Sequence, residues 1–148
     1  MVDCVDATML LCDAAQVAEG KLYILGAGWN MIGPEPTPSA IALRLEVEWG
    51  EVDRPHHWEL FLVDEDGEPV ILPTPQGPQA VEVRGDFQVG APPGLPEGSP
   101  IEVSLAVNMG PLPLQPGRRY TWRLAIDGQE DPRWMRSFST RPLPEEAV

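Results

Sequence analysis

Between residues 41 and 126, segments separated by proline and glycine alternate apolar and polar side chains with a period of two. Ile41, Leu43, Leu45, Val47 and Trp49 alternate with Ala42, Arg44, Glu46 and Glu48. The pattern returns at Val81, Val83, Phe87 and Val89, at Ile101, Val103, Leu105, Val107 and Met109, and at Tyr120, Trp122, Leu124 and Ile126. Successive side chains of an extended strand point to opposite faces, so each segment offers one face to a core and one to water. An antiparallel sheet accepts that division, whereas a helix needs an apolar period of about 3.6 residues. The expected fold is all-β, an antiparallel β-sandwich, either immunoglobulin-like or a related Greek key.

The prolines argue the same way. All 18 fall at or after Pro34, and a proline inside a helix removes a hydrogen bond and clashes with the preceding turn. They gather in the gaps ahead of strands: Pro34, Pro36 and Pro38 before Ile41; Pro73, Pro75 and Pro78 before Val81; Pro92, Pro93, Pro96 and Pro100 before Ile101; Pro111, Pro113 and Pro116 before Tyr120. There they read as rigid connections and edge protection.

The proline-free start reads as two strands, residues 7–12 and 21–30, linked through residues 13–20 with a turn at Glu19-Gly20. Residues 14–18 also suit a short helical turn. Between Trp58 and Val63 both faces are apolar, which marks a central strand. Asp66-Gly67 and Asp127-Gly128 each suit a tight hairpin, because Asp and Gly tolerate the positive φ such turns demand. Arg136, falling between Trp134 and Phe138, implies a bulge or a half-covered edge in the last strand, residues 133–140. Eight or nine strands result, in a single domain over residues 1–142 followed by a loose tail, residues 143–148.

A net charge of −13 repels phosphate backbones and anionic headgroups, so neither nucleic acid nor a membrane surface is an expected partner. No stretch approaches the ~20 apolar residues of a membrane helix, and Asp3 and Asp6 stand where a signal peptide needs a basic and then an apolar run. Cys4 and Cys12, eight residues apart on a strand, would be roughly 26 Å apart at about 3.3 Å per residue. A disulfide spans at most about 7 Å between Cα atoms. Two free, buried thiols suit a reducing compartment, and the expected location is cytoplasmic.

The segment Pro116-Gly117-Arg118-Arg119-Tyr120-Thr121-Trp122-Arg123-Leu124-Ala125-Ile126-Asp127-Gly128 resembles the closing hairpin of immunoglobulin-like sandwiches. The resemblance implies that Tyr120 tucks its hydroxyl onto nearby backbone, as in a tyrosine corner. The opening, Leu10-Leu11-Cys12-Asp13-Ala14-Ala15-Gln16-Val17-Ala18-Glu19-Gly20-Lys21-Leu22-Tyr23-Ile24-Leu25-Gly26-Ala27-Gly28-Trp29, is similar to a family of small bacterial domains of unknown function. That likeness extends through Gly110-Pro111-Leu112-Pro113-Leu114 to the last strand and implies no catalytic or binding residues.

Chemistry-bearing motifs are sparse. His56 and His57 are the only histidines; neighbours on a strand face opposite ways, so they read as surface residues beside Pro55 rather than as one zinc site. Four carboxylates stand within residues 64–68, which makes Asp64 and Asp66 the calcium candidates, although the spaced ligands of an EF-hand loop are missing. Gly26-Ala27-Gly28 lacks the lysine and helix of a phosphate loop and suits a bulge. No Gly-x-Ser-x-Gly stands in the chain, and neither cysteine has a histidine near it in sequence, so no catalytic residue is nominated. Trp49, Trp58 and Trp122 fall in apolar registers and are expected in the core. Trp29 and Trp134 lie nearer element ends, where an exposed indole would anchor a ligand or a subunit. The expected function is non-enzymatic: binding of a protein partner, or self-association, across a surface or strand edge, with no cofactor required. The alternative is a small-ligand or calcium module built on the loops at one end.

Overall fold

The computed structural model describes residues 5–144. Cys4 and residues 145–148 of the expected tail lie outside them. The fold is all-β, built from several antiparallel sheets, one of them curled toward a half-barrel.

Among the described residues twelve strands follow one another: β1 (Val5–Cys12), β2 (Ala14–Ala18), β3 (Lys21–Leu25), β4 (Met31–Ile32), β5 (Ser39–Val47), β6 (His56–Val63), β7 (Ile71–Thr74), β8 (Gly77–Ala80), β9 (Glu82–Phe87), β10 (Ile101–Met109), β11 (Arg119–Ile126) and β12 (Gln129–Thr140). A three-stranded sheet has the order β1-β5-β10, and a five-stranded sheet has β4-β12-β11-β6-β9. The pairs β2-β3 and β7-β8 form separate two-stranded hairpins. These short pairs carry the count past eight or nine. Residues 14–18 are a strand and not a helical turn, and Pro73 stands opposite Pro78 inside the β7-β8 hairpin. A two-stranded hairpin has one unpaired side on each strand, so proline's missing N–H is tolerated there.

The alternating faces of both larger sheets meet in one core. Ile41, Leu43, Leu45 and Val47 of β5 pack with Leu60 and Leu62 of β6, Trp122 and Leu124 of β11, and Trp134 and Phe138 of β12. β6 lies inside its sheet between β11 and β9, and on its second face the Arg123 guanidinium covers the Phe61 ring at 5.2 Å. This is how a strand apolar on both sides is accommodated.

On the outer face of the three-stranded sheet, Cys12, Ala40, Ala42 and Ala106 are small enough for the β2-β3 hairpin to lie close, with Ala15, Leu22 and Ile24 against them. Asn108 fastens it as a backbone mimic: its Nδ2 donates to the Ala15 carbonyl at 2.8 Å and its Oδ1 accepts from the Ala15 N–H at 3.2 Å. Cys12 is a free, fully buried thiol. Burial first, then the charge of Asp13, pushes its pKa up.

The expected irregularity of the last strand is present, and two local expectations, for Trp134 and Trp49, are corrected. The irregularity in β12 precedes Arg136: the β11-β12 register slips between Arg123↔Met135 and Ala125↔Glu130, looping out extra β12 residues. Trp134 shares its side of β12 with Phe138 and lies in the core, 1 % exposed. Trp49 leaves the strand, opens a short 3-10 turn (Trp49–Glu51) and is only half-buried.

Candidate interaction surface

Edges decide what an all-β domain can bind, because an edge strand carries a row of unpaired N–H and C=O groups. Two observations fix which groups of β1 and β10 are free. The Ala7 N–H is taken by the Asp6 carboxylate at 2.9 Å, and the Leu11 carbonyl by the Gly28 N–H at 3.2 Å, so both point away from β5. Backbone groups of an antiparallel pair alternate between facing the partner and facing away. Thr8 and Leu10 therefore bond to β5 through Arg44 and Ala42, and Ile41, Leu43 and Leu45 of β5 turn toward β10. Their partners Val107, Leu105 and Val103 spend their groups on that ladder. Glu102, Ser104, Ala106 and Asn108 are left facing outward, and among the described residues no other backbone group bonds to them.

The other edges of the two larger sheets are guarded. On β1, Asp6 and Gly28 occupy outward groups. β9 carries Glu82, Arg84 and Asp86 along six residues, and β4 is two residues long. β10 pairs without interruption over nine residues, with one charged side chain, Glu102, and no proline between Pro100 and Pro111.

Burial singles out the same place. Ile41, Leu43 and Leu45 of β5 are 0 % exposed, yet Val107, Leu105 and Val103, beside them and turned to the same core, are only half-buried. Being an edge does not explain this. On the β1 edge the large core-facing residues Val5, Met9 and Leu11 are fully buried, and only Ala7 is half-buried. Val81, just before β9, and Val83 within it are half-buried as well, and they share a groove with Met109 at the end of β10. The core is thus open along a seam between β9 and β10. At one end the seam widens into a groove of about 320 Å³ between the β7-β8 hairpin and the proline-rich segment after β10, lined by Leu72, Val81, Val83, Met109, Leu112 and Pro113.

The residues nominated from sequence lie elsewhere. Trp134 is buried and cannot anchor a ligand; its Nε1 reaches the Asp6 carboxylate at 3.4 Å. Trp29 is half-buried, edge-on to Phe138 at 5.9 Å between centroids, and its Nε1 is buried without a partner. The slot beside it measures about 20 Å³, room for one water. Asp64 is consumed by its own turn, its Oδ1 accepting from the Asp66 N–H at 2.9 Å and the Glu68 N–H at 3.0 Å. Asp66 is exposed at the tip. Among the described residues no three His, Cys, Asp or Glu side chains gather as metal ligands. The slot at Trp29 and the groove at Asp64 share Leu114 in their linings and are otherwise separate.

Of the histidines, His56 differs from expectation. His56 is 4 % exposed and stacks on Phe87 at 5.0 Å. Its Nδ1 lies 2.7 Å from Asp127, whose second oxygen accepts from the His57 N–H at 2.8 Å. An ionised carboxylate only accepts, so Nδ1 carries the proton. Asp127, at φ 51° in the β11-β12 turn, thereby clamps that turn to the start of β6. His57 is exposed between Asp86 at 2.8 Å and Glu59 at 3.1 Å. Those hydrogen bonds, Asp86 first, raise its pKa.

Sequence reasoning found β10 but missed the seam. Its signal was present in the lone charge and the bracketing prolines of residues 100–111, and invisible in the alternation itself.

The chain belongs to DUF6941, a family of unknown function, which matches residues 7–135. No curated protein and no solved structure matches the chain. No helix among the described residues is long and apolar enough to cross a membrane.

Proposed function

We propose that this member of the family is a non-enzymatic, immunoglobulin-like β-sandwich that binds a protein partner by accepting an extended strand along the β10 edge. The single observation that carries the reading is the half-burial of Val103, Leu105 and Val107 beside fully buried partners on β5. An added strand would satisfy the outward groups of Glu102, Ser104, Ala106 and Asn108 and lay its own alternate side chains over the open core. Main-chain bonds supply affinity and side-chain pockets specificity in this mode of recognition.

The immunoglobulin-like part of the reading is supported by Tyr120, which is 6 % exposed and whose hydroxyl accepts from the Gln115 N–H at 3.1 Å. A tyrosine corner makes such a bond to backbone a few residues upstream. The reading requires no cofactor, and a reducing, cytoplasmic setting agrees with the free thiol of Cys12.

A capped nine-residue peptide alternating valine and serine, titrated into the full chain while backbone amide shifts are followed, tests the reading. Strand addition predicts shifts and slowed exchange at Glu102, Ser104, Ala106 and Asn108. Saturating peptide that leaves those four amides unchanged overturns it.

A further inference from the structure

We infer that the strand accepted by the seam comes from a partner segment in which apolar residues alternate with lysine or arginine. The inference rests on the strand-addition reading and adds the chemistry of the occupant. The inward row of the incoming strand is set by Val103, Leu105 and Val107 on one lip and Val81 and Val83 on the other, all apolar. Its outward row is set by charge. On the β10 lip, Glu102 and Glu46 share the one guanidinium of Arg44. On the β9 lip, Glu82 pairs with Arg84, and Asp86, exposed, shares His57 with Glu59. Carboxylates therefore outnumber guanidiniums on both lips, within a chain whose net charge is −13.

A second copy of the chain fits this worse, since it brings another −13 and, on its own β10, the like-charged Glu102. Exposed carboxylates act at short range in physiological salt, where the Debye length is about 8 Å. Cationic side chains standing directly beside them gain attraction that an acidic strand loses. Cross-strand charge pairs of this kind change affinity roughly 1.5- to 5-fold each.

Three capped nine-residue peptides with the same valines, and with lysine, serine or glutamate at the alternate positions, distinguish the cases when titrated into the full chain at low and high salt. The Ser104→Pro variant, which lacks one outward N–H, serves as the control. Expected is the order lysine over serine over glutamate, with about tenfold or more between the extremes at low salt from several such pairs, narrowing at high salt, and loss of lysine-peptide binding in Ser104→Pro. Equal affinities, or glutamate preferred, overturn the basic partner and leave strand addition standing. Silence from all three overturns both. A lysine peptide that binds Ser104→Pro as well as the wild type is held by bulk charge, and a chain that dimerises through β10 and excludes every peptide has a second copy as its occupant; either result overturns the inference.

Discussion

Proline placed at two consecutive positions of β10 separates the inward ladder from the free edge. At Val103 the backbone N–H faces β5 opposite Leu45, which is fully buried. Val103→Pro removes that ladder bond, worth a net ~1 kcal/mol, and strands a buried carbonyl at a further ~1–3 kcal/mol. The expected loss is about 2–4 kcal/mol. At Ser104 the N–H faces solvent, and only the long Oγ contact to the Gly20 carbonyl at 3.4 Å is lost. Proline on an edge with its nitrogen turned outward is tolerated, and it also reduces the entropy of the unfolded chain. Ser104→Pro should therefore cost less than about 1 kcal/mol, on the reasoning that a hydrogen bond never made is not missed. Urea unfolding reads the difference: with m near ~2 kcal/mol per molar, the midpoint falls by about 1–2 M for Val103→Pro and by less than ~0.5 M for Ser104→Pro. Equal losses, or the reverse order, would refute the assignment of inward and outward groups on β10, and the open edge with it.

Other consequences follow from side chains away from the seam. Asp127→Ala leaves the His56 Nδ1–H buried without an acceptor and puts alanine at positive φ, a combined loss of about 2–4 kcal/mol by denaturant unfolding; Asp127→Asn, which keeps one acceptor and tolerates the turn, should lose about half as much. His57 has its carboxylate neighbours only in the folded chain, so its folded pKa lies above the unfolded value near 6.5. That contribution is complete below the unfolded value and disappears as pH rises through the raised one. The gap in urea midpoint between wild type and His57→Gln should accordingly be larger at pH 5.5 than at pH 8.5, and a gap that widens with pH contradicts the assignment. Asp64→Ala, which frees two turn N–H groups in an exposed hairpin, should cost ~1 kcal/mol. Millimolar calcium should leave the wild-type thermal midpoint within about 2 °C, the size of a ~0.5–1 kcal/mol change, since the Asp64 Oδ1 is already engaged by its own backbone.

What alternation could and could not reveal is clearest at Leu45 and Val103. They stand opposite each other in register, turned to the same core, in segments with the same period-two signature. One is sealed and the other half open, because sealing depends on what the facing sheet and its loops lay over each strand, and those neighbours are remote in sequence. Alternation reports which face a side chain takes, not how many neighbours its strand has. Strand β6 was legible as central because its second face is also apolar, and the Asp127-Gly128 turn was legible because its φ demands are local, whereas at Asp66-Gly67 only the glycine has positive φ and a single Val63↔Pro69 bridge follows the turn. Trp134 was misread since nearness to an element end says nothing of burial, which the packing of the two sheets decides: it lies 1 % exposed in the core. His56 was misread since its acceptor, Asp127, arrives from 71 residues away. Asp64 carries the right ligand type, and only the geometry of its turn shows its Oδ1 to be spent on backbone N–H groups.

Residue-resolved amide exchange across β10 of the free chain tests the central claim most directly. The outward amides of Glu102, Ser104, Ala106 and Asn108 should exchange near the rate of an exposed strand edge, with Val103, Leu105 and Val107 between them protected toward the global stability. Uniform protection along Ile101–Met109 at a concentration where the chain is monomeric would mean that something already covers this edge, and would contradict the account.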